Sequence, residues 1–157
     1  MTDRQTHLAS SPVSLVIPCR PEYVALCRLV AGALGARDLL DEEVVADIKV
    51  IVTEACNCFL GMARVGREIA CGETRAAPGE PVADCSLRMD FDSRPDAFVI
   101  SVLYPERREL ISWLEGCDPL NEAGLGLTIL RSLTDEMVEF EAEPEGTILR
   151  LTKLLLA

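Results

Sequence analysis

The stretch "TEACNCFL" at 53–60 sets one carboxylate and one amide in an otherwise apolar run. A carboxylate held beside a phosphate can take the proton of an attacking hydroxyl, and an amide oxygen can ligate a hard divalent cation. A solvated residue at the rim of a core helix gives the same pattern, and the residues alone leave both readings open. A second segment, "NEAGLGLTILRSL" at 121–133, places Gly124 and Gly126 one residue apart at the entry to an apolar helix. Glycine lets a backbone approach a ligand closely, and the N–H groups at a helix start favour an anion. Close packing explains such glycines equally well, and the GK[ST] ending of a phosphate-binding P-loop is missing.

Other chemistries are excluded more firmly. The single histidine, His7, falls in the polar N-terminal stretch, which removes a histidine-dependent triad or a histidine-ligated zinc site. The seven cysteines form no CxxC pair, and Cys56 and Cys58 diverge on a helix. Their odd number and the lack of an apolar leader predict reduced thiols acting as small buried hydrophobes. A net charge of −11 argues against nucleic acid and against an anionic membrane surface. A basic protein partner, or a small ligand bringing its own cation, suits that charge better. No apolar stretch reaches the roughly 18 residues of a membrane span. The expectation is a disordered lead-in over 1–12 and a single cytoplasmic domain over 13–157.

The elements that must position these residues follow from periodicity. "VSLVIPC" (13–19) reads as a strand stopped by Pro18. Pro21 opens a first helix whose apolar stripe is Tyr23, Leu26, Cys27, Val30 and Leu34, with Gly35 as its stop. Asp41 caps a second helix, predicted to run to about Ala63, with Val44, Ile48, Ile51, Ala55, Phe59 and Met62 facing the core. Asp47, Glu54 and Gly61 fall on a separate seam, one every seven residues. Residues 64–84 read as an irregular connection. A hairpin over 85–91 and 97–104, a short helical piece near 107–114 and a loop with Pro119 and Asn121 come next. A glycine-entered helix over 124–137 and a closing hairpin turning at "EPEG" end the chain. This order predicts an α+β two-layer sandwich with a mixed, mostly antiparallel sheet, and not a doubly wound fold.

Taken together, "IPCRPEYVALCRLVAGAL", "DEEVVADIKVIVTEACN", "GLGLTILRSLTDEMVEF" and "GTILRLTKLL" resemble, in this order, the bacterial anti-sigma factors that are also serine-protein kinases. These are members of the GHKL (Bergerat-fold) ATPases, and the resemblance covers nearly the whole chain. It implies that Glu54 matches the family's general base on the N-box helix. It implies that Gly124, Leu125, Gly126 and Leu127 border the phosphates of ATP, that Thr147 contributes to nucleotide binding, and that residues 105–123 correspond to a mobile lid. The family's magnesium ligand, an asparagine four residues after the glutamate, is Cys58 here, and Asn57 comes one residue earlier. On a helix these two lie roughly 40° and 60° from Glu54, on opposite sides. The family's Asp-x-Gly-x-Gly adenine box is replaced by "LYPERREL", where Glu106 is the nearest carboxylate.

The implied activity is sequestration of a sigma factor, with ATP- and magnesium-dependent phosphorylation of an anti-anti-sigma (STAS-type) partner weakened by these departures, in a homodimer. The alternatives are a binding module of the same fold that no longer binds ATP, and an unrelated acidic α+β domain whose glycines are structural.

Overall fold

The computed structural model describes residues 11–70, 85–144 and 146–155, with backbone alone for 65–70. Strand β1 (Val13–Pro18) leads through a 3-10 turn (Pro21–Tyr23) into α1 (Val24–Arg37) and then α2 (Glu42–Ala70). The hairpin β2 (Ser86–Ser93) and β3 (Ala97–Tyr104) follows, then short α3 (Leu110–Glu115) and α4 (Glu122–Leu133). The chain closes with β4 (Glu136–Ala142) and β5 (Gly146–Leu154). The five strands form one sheet in the order β1-β2-β3-β5-β4, every neighbouring pair antiparallel.

Alternation along the strands decides which face takes the helices. Ile17, Leu87, Met89, Phe91, Phe98, Ile100, Val102, Leu149 and Leu151 point inward and are buried. Against them α2 lays Ile48, Ile51, Val52, Ala55, Cys56 and Phe59, all essentially inaccessible. Each Val, Ile or Phe among them stabilises the fold by about 1.5–3 kcal/mol relative to leaving it in water. The predicted core stripe of α2 is therefore present, widened by Val52, Cys56 and Cys58.

Three boundaries differ from the sequence reading. Gly35 does not stop α1, which continues to Arg37 before Leu39 takes a left-handed conformation at φ 54°. Gly35 instead admits α2: a side chain there would meet Val45 Cγ2 at 2.7 Å. α2 continues past Ala63 to Ala70. The run "RVGREIA" holds no proline, and its one glycine costs a helix only about 1 kcal/mol. α4 begins at Glu122 and ends at Leu133, because Asn121 caps it and Thr134 is already extended. Residues 1–10 of the lead-in predicted over 1–12, and the remainder of the irregular connection, 71–84, lie outside the described residues.

The expectation of reduced thiols fails at one pair. Cys19 and Cys85 are disulfide-bonded, their Cα atoms 5.5 Å apart. The register explains it: Pro18 faces Ser86, so the next facing pair is residues 19 and 85. A partner 66 residues away along the chain leaves no trace in local spacing. Cys27, Cys56 and Cys58 are unpaired and buried as expected, and the Cys56 thiol donates to Met89 Sδ at 3.4 Å.

Candidate functional site

The seam on α2 organises the site. Asp47 meets Lys153 of β5, Nζ to carboxylate 3.1 Å. One heptad on, Glu54 faces α4: a Cβ built on Gly126 would lie 3.1 Å from Glu54 Oε2 and 3.3 Å from Cys58 Sγ. A further heptad on, Gly61 lies under Trp113 of α3, whose ring edge would be 3.6 Å from a Cβ there. A stripe that is too polar for the core and too enclosed for free solvent thus becomes the line along which α2 meets β5, α4 and α3.

Glu54 and Gly126 therefore belong to one place, and Cys58 joins them. The space a side chain at 126 would fill is occupied by the Glu54 carboxylate and the Cys58 thiol. Burial raises the proton affinity of Glu54 above the ordinary carboxylate range, and the negative charge of Glu122 adds to the shift. Burial likewise pushes the Cys58 thiol up to about 12, with further contributions from Glu54 and Cys117. Cys58 is thus a neutral thiol at neutral pH. Asn57 lies on the exposed side of α2, away from this contact.

The entry to α4 is tight. The N–H of Gly124 donates to Asn121 Oδ1 at 2.9 Å, which satisfies one donor of the helix start. A Cβ on Gly124 would lie 2.3 Å from the Asp118 carbonyl oxygen, so the glycine is required by the backbone of the preceding loop. Leu125 points outward and Leu127 is buried in the core. Asn121, one residue before "EAGLG", is a helix-cap signal in the sequence. The approach of Glu122 to Glu54 carries no such signal, because it depends on how α2 and α4 cross.

On the other side, residues 105–109 are bound to the chain itself. The buried Thr147 hydroxyl accepts from the Arg108 N–H at 2.8 Å and lies 2.8 Å from the Glu106 and 3.0 Å from the Arg108 carbonyl oxygens, to either of which it donates. The carboxylate of Glu106 pairs with Arg108 at 3.0 Å, both exposed. Glu139 of β4 accepts the Ile111 N–H at 3.0 Å, holding the first turn of α3. Tyr104, buried, stacks on Phe59 of α2 with ring centroids 5.6 Å apart.

A carboxylate of raised proton affinity on α2 thus faces a glycine near the start of α4, the helix packed against it. The chain belongs to the histidine kinase-like ATPase domain family, whose profile matches residues 17–153. It is 31% identical over 150 residues to the serine-protein kinase RsbW of Bacillus pumilus, covering 91% of this chain and 85% of that one. It is 28% identical over 151 residues to the RsbW of Halalkalibacterium halodurans, covering 91% and 83%. To the RsbW of Bacillus licheniformis it is 27% identical over 150 residues, covering 94% and 88%.

Proposed function

We propose that this chain is an anti-sigma-type regulator that binds a sigma factor and, through Glu54, supports slow ATP-dependent phosphorylation of a serine on an anti-anti-sigma partner. The observation that carries the reading is the placement of the Glu54 carboxylate directly against Gly126. Bound ATP would supply the phosphoryl group. Glu54 would take the proton of the attacking serine hydroxyl, a task helped by its raised proton affinity. The glycines at 124 and 126 allow backbone, not side chain, to face the phosphates.

Two parts of the set fit poorly. Magnesium prefers oxygen, and the position expected to ligate it carries the neutral thiol of Cys58, while Asn57 is on the exposed side. No step is therefore assigned to the metal. The Thr147 hydroxyl is committed to the backbone of 106–108, where a nucleotide contact was expected. Those features support slow transfer, and they favour a second reading: a sigma-binding module that has lost catalysis altogether. Partner binding rests on protein surface. Leu26 and Leu29 of α1 are exposed, three residues apart on one helix face, and supply an apolar patch for a homodimer.

Transfer of label from γ-labelled ATP to a purified anti-anti-sigma protein separates the readings. Slow transfer that disappears in Glu54→Ala supports the kinase. Transfer that survives Glu54→Ala removes the glutamate's role, and none above background with wild-type chain leaves the module reading. Capture of a sigma factor without nucleotide is expected in every variant, and its absence would contradict the regulator itself.

A further inference from the structure

The two edges of the sheet are closed differently. At one edge β4 is paired along its length with β5, and Asp135 adds bonds at its start, its N–H to the Thr152 carbonyl at 2.9 Å and its carboxylate to the Leu154 N–H at 2.7 Å. At the other, β1 is paired along its length with β2, its one strand neighbour among the described residues. The end of that pairing is closed by Cys19 and Cys85: the Cys19 N–H donates to the Cys85 carbonyl at 3.1 Å, the Cα atoms are 5.5 Å apart, and the sulfurs are bonded. That separation is in the middle of the range disulfides require, so two reduced thiols here are already positioned to join. Cys19 is 6% exposed, whereas Cys85 is only half-buried, so a small reagent reaches the pair through Cys85.

We propose that Cys19 and Cys85 are a thiol–disulfide exchange site, with a low-molecular-weight disulfide of the glutathione type as oxidant, and that its state sets how firmly the edge strand β1 is held. In the forward direction the Cys85 thiolate attacks one sulfur of the reagent, breaking its S–S bond and expelling one thiolate. The Cys19 thiolate then attacks the Cys85 sulfur of the mixed disulfide and expels the second. The protein loses two electrons and two protons, and the reagent becomes two thiols. Reduced glutathione reverses both steps, entering at the Cys85 sulfur. Neither step draws on Glu54 or on α4, so the inference stands apart from the kinase reading.

The consequence follows from what Cys19 joins. On one side lies β1, with Val16 exposed; on the other the turn into α1, with Tyr23, Leu26 and Leu29 exposed. With the bond closed, the end of β1 cannot leave β2, and the unfolded chain is constrained across 66 residues. With it open, an edge strand paired on one side alone is free to fray.

The test uses the full chain equilibrated in glutathione buffers of graded oxidation, trapped with N-ethylmaleimide, and analysed by peptide mapping and amide hydrogen exchange. A peptide joining residues 19 and 85 is expected to appear as the buffer becomes more oxidising. In the oxidised form the β1 amides are expected to exchange about tenfold more slowly, with β4 and β5 unchanged. The melting temperature is expected to rise by about 10 °C. Cys85→Ser alone, and with Cys19→Ser, is expected to remove all three responses. Should the serine variants fail to fold, oxidised and reduced wild-type chain still give the comparison. A crosslink between other cysteines, no crosslink at all, or equal β1 exchange in the two forms would overturn the proposal.

Discussion

The two sides of the candidate site differ in character. On the α2–α4 side, Glu54, Gly126 and the Asn121 cap make a compact polar contact in which a carboxylate is kept partly out of water with no ion-pair partner among the described residues. On the β3–β5 side, the polar groups are consumed: Thr147 is saturated by the backbone of 106–108, and Tyr104 is stacked into the core on Phe59. The first side holds a carboxylate whose proton affinity is raised by burial. The second is built as packing. On the proposed reading, the base and the surface that would select the nucleotide are carried by different elements, so one can persist without the other.

The largest effect that would sharpen this contrast is at the glycines. Gly124→Ala drives a methyl group into the Asp118 carbonyl, which nothing flexible can relieve, and should cost about 3 kcal/mol in a denaturant melt. Gly126→Ala meets only the ends of the Glu54 and Cys58 side chains and should cost about 1 kcal/mol. Equal costs would mean that Gly126 is also fixed by backbone, and the α2–α4 contact would have to be redrawn.

Next comes Thr147→Val. It leaves the Arg108 N–H without its acceptor and should cost about 2 kcal/mol. The Arg108 amide should then exchange faster while the Gly124 amide, bonded to Asn121, is unchanged. Persistent protection of Arg108 would show that other contacts hold 105–109.

The smallest effect is electrostatic. The folded-state proton affinity of Glu54 is raised, so the folded chain holds more protons than the unfolded chain between the two values. Stability therefore falls as pH rises through that window. Glu54→Gln removes the loss: the variant should be more stable than wild type above the window and equal to it below the ordinary carboxylate range. A variant less stable at neutral pH would show that the carboxylate is satisfied by a partner, contrary to its environment.

Much of this was legible in the residues, for identifiable reasons. Regular periodicity marked α2, and the heptad seam of Asp47, Glu54 and Gly61 marked the face that meets the other elements. The alternating strands marked the sheet and its buried side. What failed depended on distance along the chain. The Cys19–Cys85 pair follows from strand register, Gly35 from the approach of Val45, and the coupling of Glu122 to Glu54 from a helix crossing. Each arises between segments that local pattern cannot align. The departures at Cys58 and at 104–110 were visible as residue types, but that Thr147 would turn to its own backbone was not.

The most direct test is calorimetric titration of the chain with magnesium–ATP and, separately, with magnesium–tripolyphosphate. If the phosphate side is kept and the adenine side is closed, both should bind with Kd near 1 mM, corresponding to about 4 kcal/mol, and nearly equally. Micromolar binding of ATP with tripolyphosphate far weaker would show an intact adenine site, and would contradict the account.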